Sequence, residues 1–231
     1  MSDEVTSWLA RAALPLACLT AGAPTTDLQP LKGVLDGVRV VGLGEATHGT
    51  REFFQLKHRL LEFLVTELGF SVLAMEASAS AAPAVDAYVR HGGAVPSLGR
   101  HLHSRYGDAY YALGLLFGRG AFRARRMRLR SRARPRAGAV VTHRIGPPRA
   151  GTVEARLAAA RPGDHLVDLR SAADAPAAVR EWLDGSGFSR GFGAMVPRWT
   201  YRFQQRPLSP AAEFDGLVYI AESSASRPLS L

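Results

Sequence analysis

Three side chains able to handle protons or stabilise charge stand close together, Glu45, His48 and Arg51, in the stretch Gly44-Glu45-Ala46-Thr47-His48-Gly49-Thr50-Arg51. A further acid, Glu76, follows a separate apolar run. A histidine flanked by carboxylates serves as a general base, because a neighbouring acid fixes the imidazole's tautomer and supports its charged form. An arginine beside it can polarise a carbonyl or hold a carboxylate. The same residue types also act as caps and turn formers in glycine-rich turns, so spacing alone leaves both uses open. A metal site from Glu45, His48 and Glu76 is a third arrangement, but that mix of donors at that spacing matches no standard signature.

These residues need strand ends and a helix start to bring them together. Arg39 to Leu43 (RVVGL) is a compact apolar run of buried-strand type, with Glu45 just past its end. Ser71 to Met75 (SVLAM) reads as a second buried strand and places Glu76 in the equivalent position. Between them, Arg51 to Leu68 is the strongest helix signal in the chain. Phe53, Phe54, Leu56, Leu60, Leu61, Phe63, Leu64, Val65 and Leu68 form the broad stripe of a helix packed on a sheet. Thr50 suits the N-cap, Glu52 the positive end and Gly69 the stop. Strand, helix, strand predicts a right-handed parallel crossover. Parallel neighbours would present both carboxylates at one carboxyl edge, where open α/β sheets place their ligands. His48, just before the helix, would sit where a helix N-terminus stabilises an anion.

The remaining elements follow the same logic. Helices are predicted from Asp3 to before Pro15, and over Leu28–Leu35, Ala82–Arg90, Leu98–Tyr106, Thr152–Ala160 and Pro176–Leu183. Strands are predicted over Ala109–Phe117, His165–Leu169 and Gly216–Ala221. The expected fold class is α/β, a parallel or mixed sheet flanked by helices, in one domain over residues 1–231. Its N-terminal part, 1–96, carries the glycine-rich turn, and its C-terminal part is 97–231. At 231 residues, 47% apolar and 21% charged, the composition is that of a globular chain. The single cysteine, Cys18, excludes an intramolecular disulfide framework and a cysteine-based zinc site. No uninterrupted apolar run is long enough for a transmembrane helix. Leu9 to Ala23 (LARAALPLACLTAGA) lacks the basic start of a signal peptide, since Asp3 and Glu4 precede it and Arg11 interrupts it. A soluble, cytoplasmic protein without a membrane partner is expected.

The net charge of +9 is local. Nine arginines lie between Arg119 and Arg136, and the other twenty basic residues balance the 20 acids. From Arg126 to Arg136 arginine takes every second position. As a strand this would line up like charges on one face, which is unfavourable without a polyanion. Residues 119–150, rich in Arg, Gly and Pro, are therefore expected to form a flexible, solvated loop. Nucleic-acid binding is disfavoured, because no aromatic residues interleave to stack bases. Damage to the coding frame is a third reading of the run.

The stretch VVGLGEATHGTREFFQLKHRLLEFLVTELGFSVLAMEAS, residues 40–78, closely resembles the erythromycin esterase family. The likeness continues through AVDAYVR (84–90), LGRHLHSRYGDAYYALGLLFGRGAF (98–122) and, more loosely, FDGLVYIAES (214–223). Carried over by motif, Glu45, His48 and Arg51 match the GEATHG-x-R element and Glu76 the second acid. The resemblance implies a carboxylic ester hydrolase that opens a macrolactone with histidine-activated water, needs no cofactor and belongs to an antibiotic response. In it His48 is the base, Glu45 and Glu76 are its orienting and charge-balancing partners, and Arg51 binds substrate or oxyanion. The implied partner is a small-molecule, macrolide-like ester, whose cationic amino sugar would suit an acidic site; the oligomeric state is left open. The family's long middle region, with a further active-site histidine, is missing between Arg90 and Leu98, which implies an internal shortening near Pro96. His101 and His103 lie close to that join without occupying the family's histidine position. A catalytically inactive remnant whose arginine-rich segment binds polyanions is the alternative.

Overall fold

The computed structural model describes residues 3–74, 98–128, 136–193, 195–197 and 204–227. Helix α1 (Glu4–Ala12) starts at Asp3, whose carboxylate accepts the Thr6 N–H at 2.7 Å, and runs directly into β1 (Ala13–Pro15). A single 3-10 turn at Thr26–Leu28 and the short α2 (Leu31–Val34) stand where one helix was expected. Then come β2 (Val40–Glu45), α3 (Arg51–Leu68), α4 (Leu98–Tyr106), β3 (Tyr110–Arg128) and β4 (Arg136–Ile145). The chain continues through α5 (Val153–Ala160), β5 (His165–Asp168), α6 (Ala177–Asp184) and β6 (Gly187–Arg190). It ends with β7 (Met195–Val196), β8 (Gln205–Leu208), α7 (Pro210–Glu213) and β9 (Gly216–Ser223).

Strands β1-β5-β9-β3-β2 lie side by side in one mixed sheet, and β4 and β7 add to β3. Strand β3 is parallel to β2 from Val40–Tyr110 to Glu45–Leu115 and parallel to β9 from Leu113–Gly216 to Gly120–Ser223. The fold is α/β, with helices on both faces of the sheet. Alternation along the strands builds the two layers. Tyr111, Leu113, Leu115 and Phe117 of β3, with Val218 and Ile220 of β9, pack against Phe53, Leu56, Leu60 and Phe63 of α3. Leu116, Leu217 and Tyr219 face the other way, onto Val5, Trp8 and Leu9 of α1, Leu157 of α5 and Val179 of α6.

Three expectations are corrected. Ser71–Ala74 form no strand and are exposed, Val72 at 83%. The parallel neighbour of β2 is β3, whose longer apolar run YYALGLLF supplies alternating side chains to both cores. Met75, Glu76 and the Ala82–Arg90 helix lie outside the described residues. Secondly, β2 is half-buried along its length rather than buried. Among the described residues it is the edge of the sheet. Thirdly, residues 119–128 and 136–145, expected in a flexible loop, are strand. The small and aromatic residues between the arginines explain this, because Ala121, Phe122 and Ala124 are buried and Phe122 stacks on buried His143 at 5.3 Å.

Helix α3 is held from behind by an arginine in the middle of its apolar stripe. Arg59 is fully buried. Its Nη1 donates to Cys18 O at 2.6 Å and Asp27 Oδ2 at 3.0 Å, and its Nη2 to Asp27 Oδ1 and Pro24 O. Burial pushes the Asp27 carboxyl up, but the Arg59 guanidinium and the Ala17 N–H outweigh it and hold the acid below its ordinary value of 3.8. Asp27→Ala is expected to cost about 3–5 kcal/mol by stranding a buried charge. The sign of the pH dependence follows from the lowered value: the pair stabilises the fold above pH 3.8 and is lost as pH falls through the folded value. Urea titrations across pH should therefore find an acid-side loss of stability in the native chain that is weaker in Asp27→Asn. Equal acid sensitivity in both would contradict this account.

Candidate active site

The turn between β2 and α3 is pinned on three sides by its backbone. Ala46 N–H donates to Leu115 O at 3.0 Å, and Ala46 O accepts from Phe192 N–H at 2.9 Å. Gly49 O accepts from both Arg123 N–H at 3.0 Å and Ser226 N–H at 2.9 Å. Gly49 has to be glycine here, because a Cβ would lie 1.9 Å from Arg123 O. Thr50 occupies the N-cap of α3 but makes no capping hydrogen bond, and its buried Oγ1 is unpartnered. The helix start is tied instead to the segment after β9. Arg51 N–H donates to Ser224 O at 3.0 Å, and the Glu52 carboxylate accepts from Ser224 N–H at 2.7 Å and Ser224 Oγ at 2.5 Å.

This frame sets Glu45 and His48 face to face. Glu45 Oε1 lies 2.6 Å from His48 Nδ1, and Glu45 Oε2 accepts from Lys57 Nζ at 2.7 Å. The Glu45 side chain is 10% exposed and that of His48 66%. A carboxylate has only acceptors, so this contact to Glu45 favours the proton on Nδ1, and in the neutral imidazole that tautomer leaves the lone pair on Nε2. Lys57, one and a half turns into α3, balances the carboxylate and completes a Lys57–Glu45–His48 chain.

His48 forms one wall of a depression of about 430 Å³. Thr47 and Gly49 line it beside His48, with Arg123 and Arg125 of β3 and Arg227 from the segment after β9. Arg51 is exposed on the first turn of α3 and is not among the lining residues. Glu76 lies outside the described residues. Among the described residues no three His, Cys, Asp or Glu side chains gather into a metal site. Among the described residues that line the depression there are three arginines and no acid. His103 is exposed on α4, and nothing is described of the His101 side chain.

Three residues of the site, Lys57, Arg123 and Arg125, were not anticipated from sequence. Lys57 carried a signal, being one of only two lysines in a chain with 27 arginines. Arg123 and Arg125 were visible as alternating charges, yet their lining one depression with His48 follows only from the reach of β3 beyond its neighbours.

A sequence model described as erythromycin esterase matches residues 93–223. The "Erythromycin esterase type II" of Escherichia coli is 35% identical over 80 residues, covering 35% of this chain and 19% of that protein. The Bacillus subtilis (strain 168) protein YbfO, named as a candidate hydrolase, is 46% identical over 69 residues, covering 30% of this chain and 15% of its own. The matched stretches thus span less than a fifth of either curated relative. Among solved structures, a succinoglycan biosynthesis protein superposes with a TM-score of 0.76 at 14% identity over 98% of both chains. A Bacillus cereus protein superposes with a TM-score of 0.71 at 14% identity over the whole of both chains. These two likenesses concern the fold.

Gly49→Ala is the sharpest probe of the turn. Overpacking against the β3 backbone should cost about 1–3 kcal/mol. Thermal denaturation should register this as a clear loss of Tm relative to Gly193→Ala, where an added Cβ would meet nothing within 4 Å. Equal Tm values would show that the turn does not bear on β3 as described.

Proposed function

The chain belongs to the erythromycin esterase family, and from that premise we propose that it hydrolyses carboxylic esters with water activated by His48. The observation that carries this reading is the 2.6 Å Glu45–His48 contact at the wall of an open depression. In the proposed reaction Nε2 of His48 takes a proton from water as the water oxygen bonds to the ester carbonyl carbon. Glu45 accepts the Nδ1 hydrogen bond and supports the imidazolium that forms, while Lys57 keeps the carboxylate in place. Collapse of the tetrahedral intermediate breaks the acyl–oxygen bond, and His48 returns the proton to the leaving alkoxide. The products are an acid and an alcohol, and the histidine ends in its starting state. Arg51 is the proposed binder of the carbonyl or oxyanion, and Glu76 the second charge-balancing acid.

Opening of a macrolactone, and with it a part in antibiotic response, is the specific case suggested by the family and by the Escherichia coli relative's name. It is tested by mass spectrometry of erythromycin incubated with the full chain. The expected result is a gain of one water by the antibiotic, with kcat lowered about 10²–10⁴-fold in His48→Ala. An undiminished rate in His48→Ala would remove His48 as base. A folded chain that hydrolyses neither erythromycin nor any simple ester would overturn the enzymatic reading and favour a remnant.

A further inference from the structure

The arginines that line the depression with His48 sit on an extension of one strand. Pairing of β3 with β2 ends at Glu45–Leu115, and pairing with β9 ends at Gly120–Ser223. The rest of β3 projects past the carboxyl edge of both neighbours and is held by β4 and β7. Arg123 and Arg125, two residues apart on a strand, share a face, and that face lines the depression.

Among the described residues no carboxylate pairs with Arg123, Arg125 or Arg227, whereas Arg119, earlier on the same strand, has Glu222 at 3.0 Å. Glu45, the acid nearest His48, is already engaged by Lys57 and His48. Three arginines thus line one depression with no carboxylate partner among the described residues. A planar guanidinium binds a carboxylate or phosphate through paired hydrogen bonds, and several together make an anion site.

We propose that the ester cleaved at His48 is anionic, carrying a carboxylate or phosphate group that docks on Arg123, Arg125 and Arg227. This rests on the reading of His48 as the hydrolytic base, but not on a macrolactone substrate. The arginines select the substrate and position it, and the chemistry stays with His48.

The test uses three activated esters with the full chain: mono-4-nitrophenyl succinate (anionic), 4-nitrophenyl acetate (neutral) and the 4-nitrophenyl ester of trimethylglycine (cationic). Each kcat/KM is divided by the uncatalysed rate constant. The anionic ester should exceed the neutral one about tenfold or more, as expected for one charge-assisted contact, and the cationic one should be poorest. In Arg123→Gln the anionic-to-neutral ratio should fall, chiefly through KM, and added salt should lower it in the native chain. No preference for the anion, or the same ratio in Arg123→Gln, overturns the proposal.

Calorimetric titration with succinate and, separately, inorganic phosphate reads the site without turnover and tells the two anion chemistries apart. Binding weakened in Arg123→Gln, in a chain that hydrolyses none of the esters, would uphold the anion site and refute the hydrolytic reading. Turnover of the neutral ester without binding of either anion would do the reverse.

Discussion

The site depends on one close approach, the backbone of Gly49 lying directly on the backbone of Arg123. Gly49 O bonds to Arg123 N–H and to Ser226 N–H, so one carbonyl joins the β2–α3 turn, the outer half of β3 and the segment after β9. The contact leaves no room for a Cβ. With it in place, His48 of the turn and Arg123 and Arg125 of β3 line the same depression. The ties between Glu52 and Ser224 reinforce the junction, taking up the helix start that Thr50 leaves uncapped.

Much of this could be read from the residues, for local reasons. The bounds of α3 follow from its apolar stripe and from Gly69, which ends the helix in the left-handed region at φ +71°. Glu45 and His48 were singled out because three residues in a tight turn bring two side chains within reach. What escaped reading depends on contacts distant in sequence. SVLAM and YYALGLLF are both short apolar runs, and periodicity alone does not say which one pairs with β2. Only the longer run feeds both cores, through Leu115 and Phe117 on one face and Leu116 on the other. Repulsion between like charges on a strand argues for loop in the arginines after it. That argument omitted the opposite face, where Phe122 and Ala124 are buried. Arg59 could have been noticed, since it falls on the apolar stripe between Leu56 and Phe63, although its partner Asp27 lies 32 residues away.

The site's electrostatics divide into two compensated parts and one that is not. Asp27 neutralises Arg59 behind α3, and Lys57 neutralises Glu45 at its front. Arg123, Arg125 and Arg227 of the depression have no such partner among the described residues. Compensated pairs set geometry, whereas an uncompensated cluster beside a free imidazole nitrogen is arranged for a ligand that brings the missing charge. The family relationship suggests a hydrolase, and the proposed preference for an anionic substrate rests on the arginines that line the depression with His48.

The most direct test of the central claim is the tautomer of neutral His48, read by long-range proton–nitrogen NMR on the labelled chain. The account predicts that Nδ1 carries the proton and donates it to Glu45, leaving Nε2 as the basic nitrogen. A proton resident on Nε2 would contradict it, because the only lone pair would then point at a carboxylate and no base would remain for water.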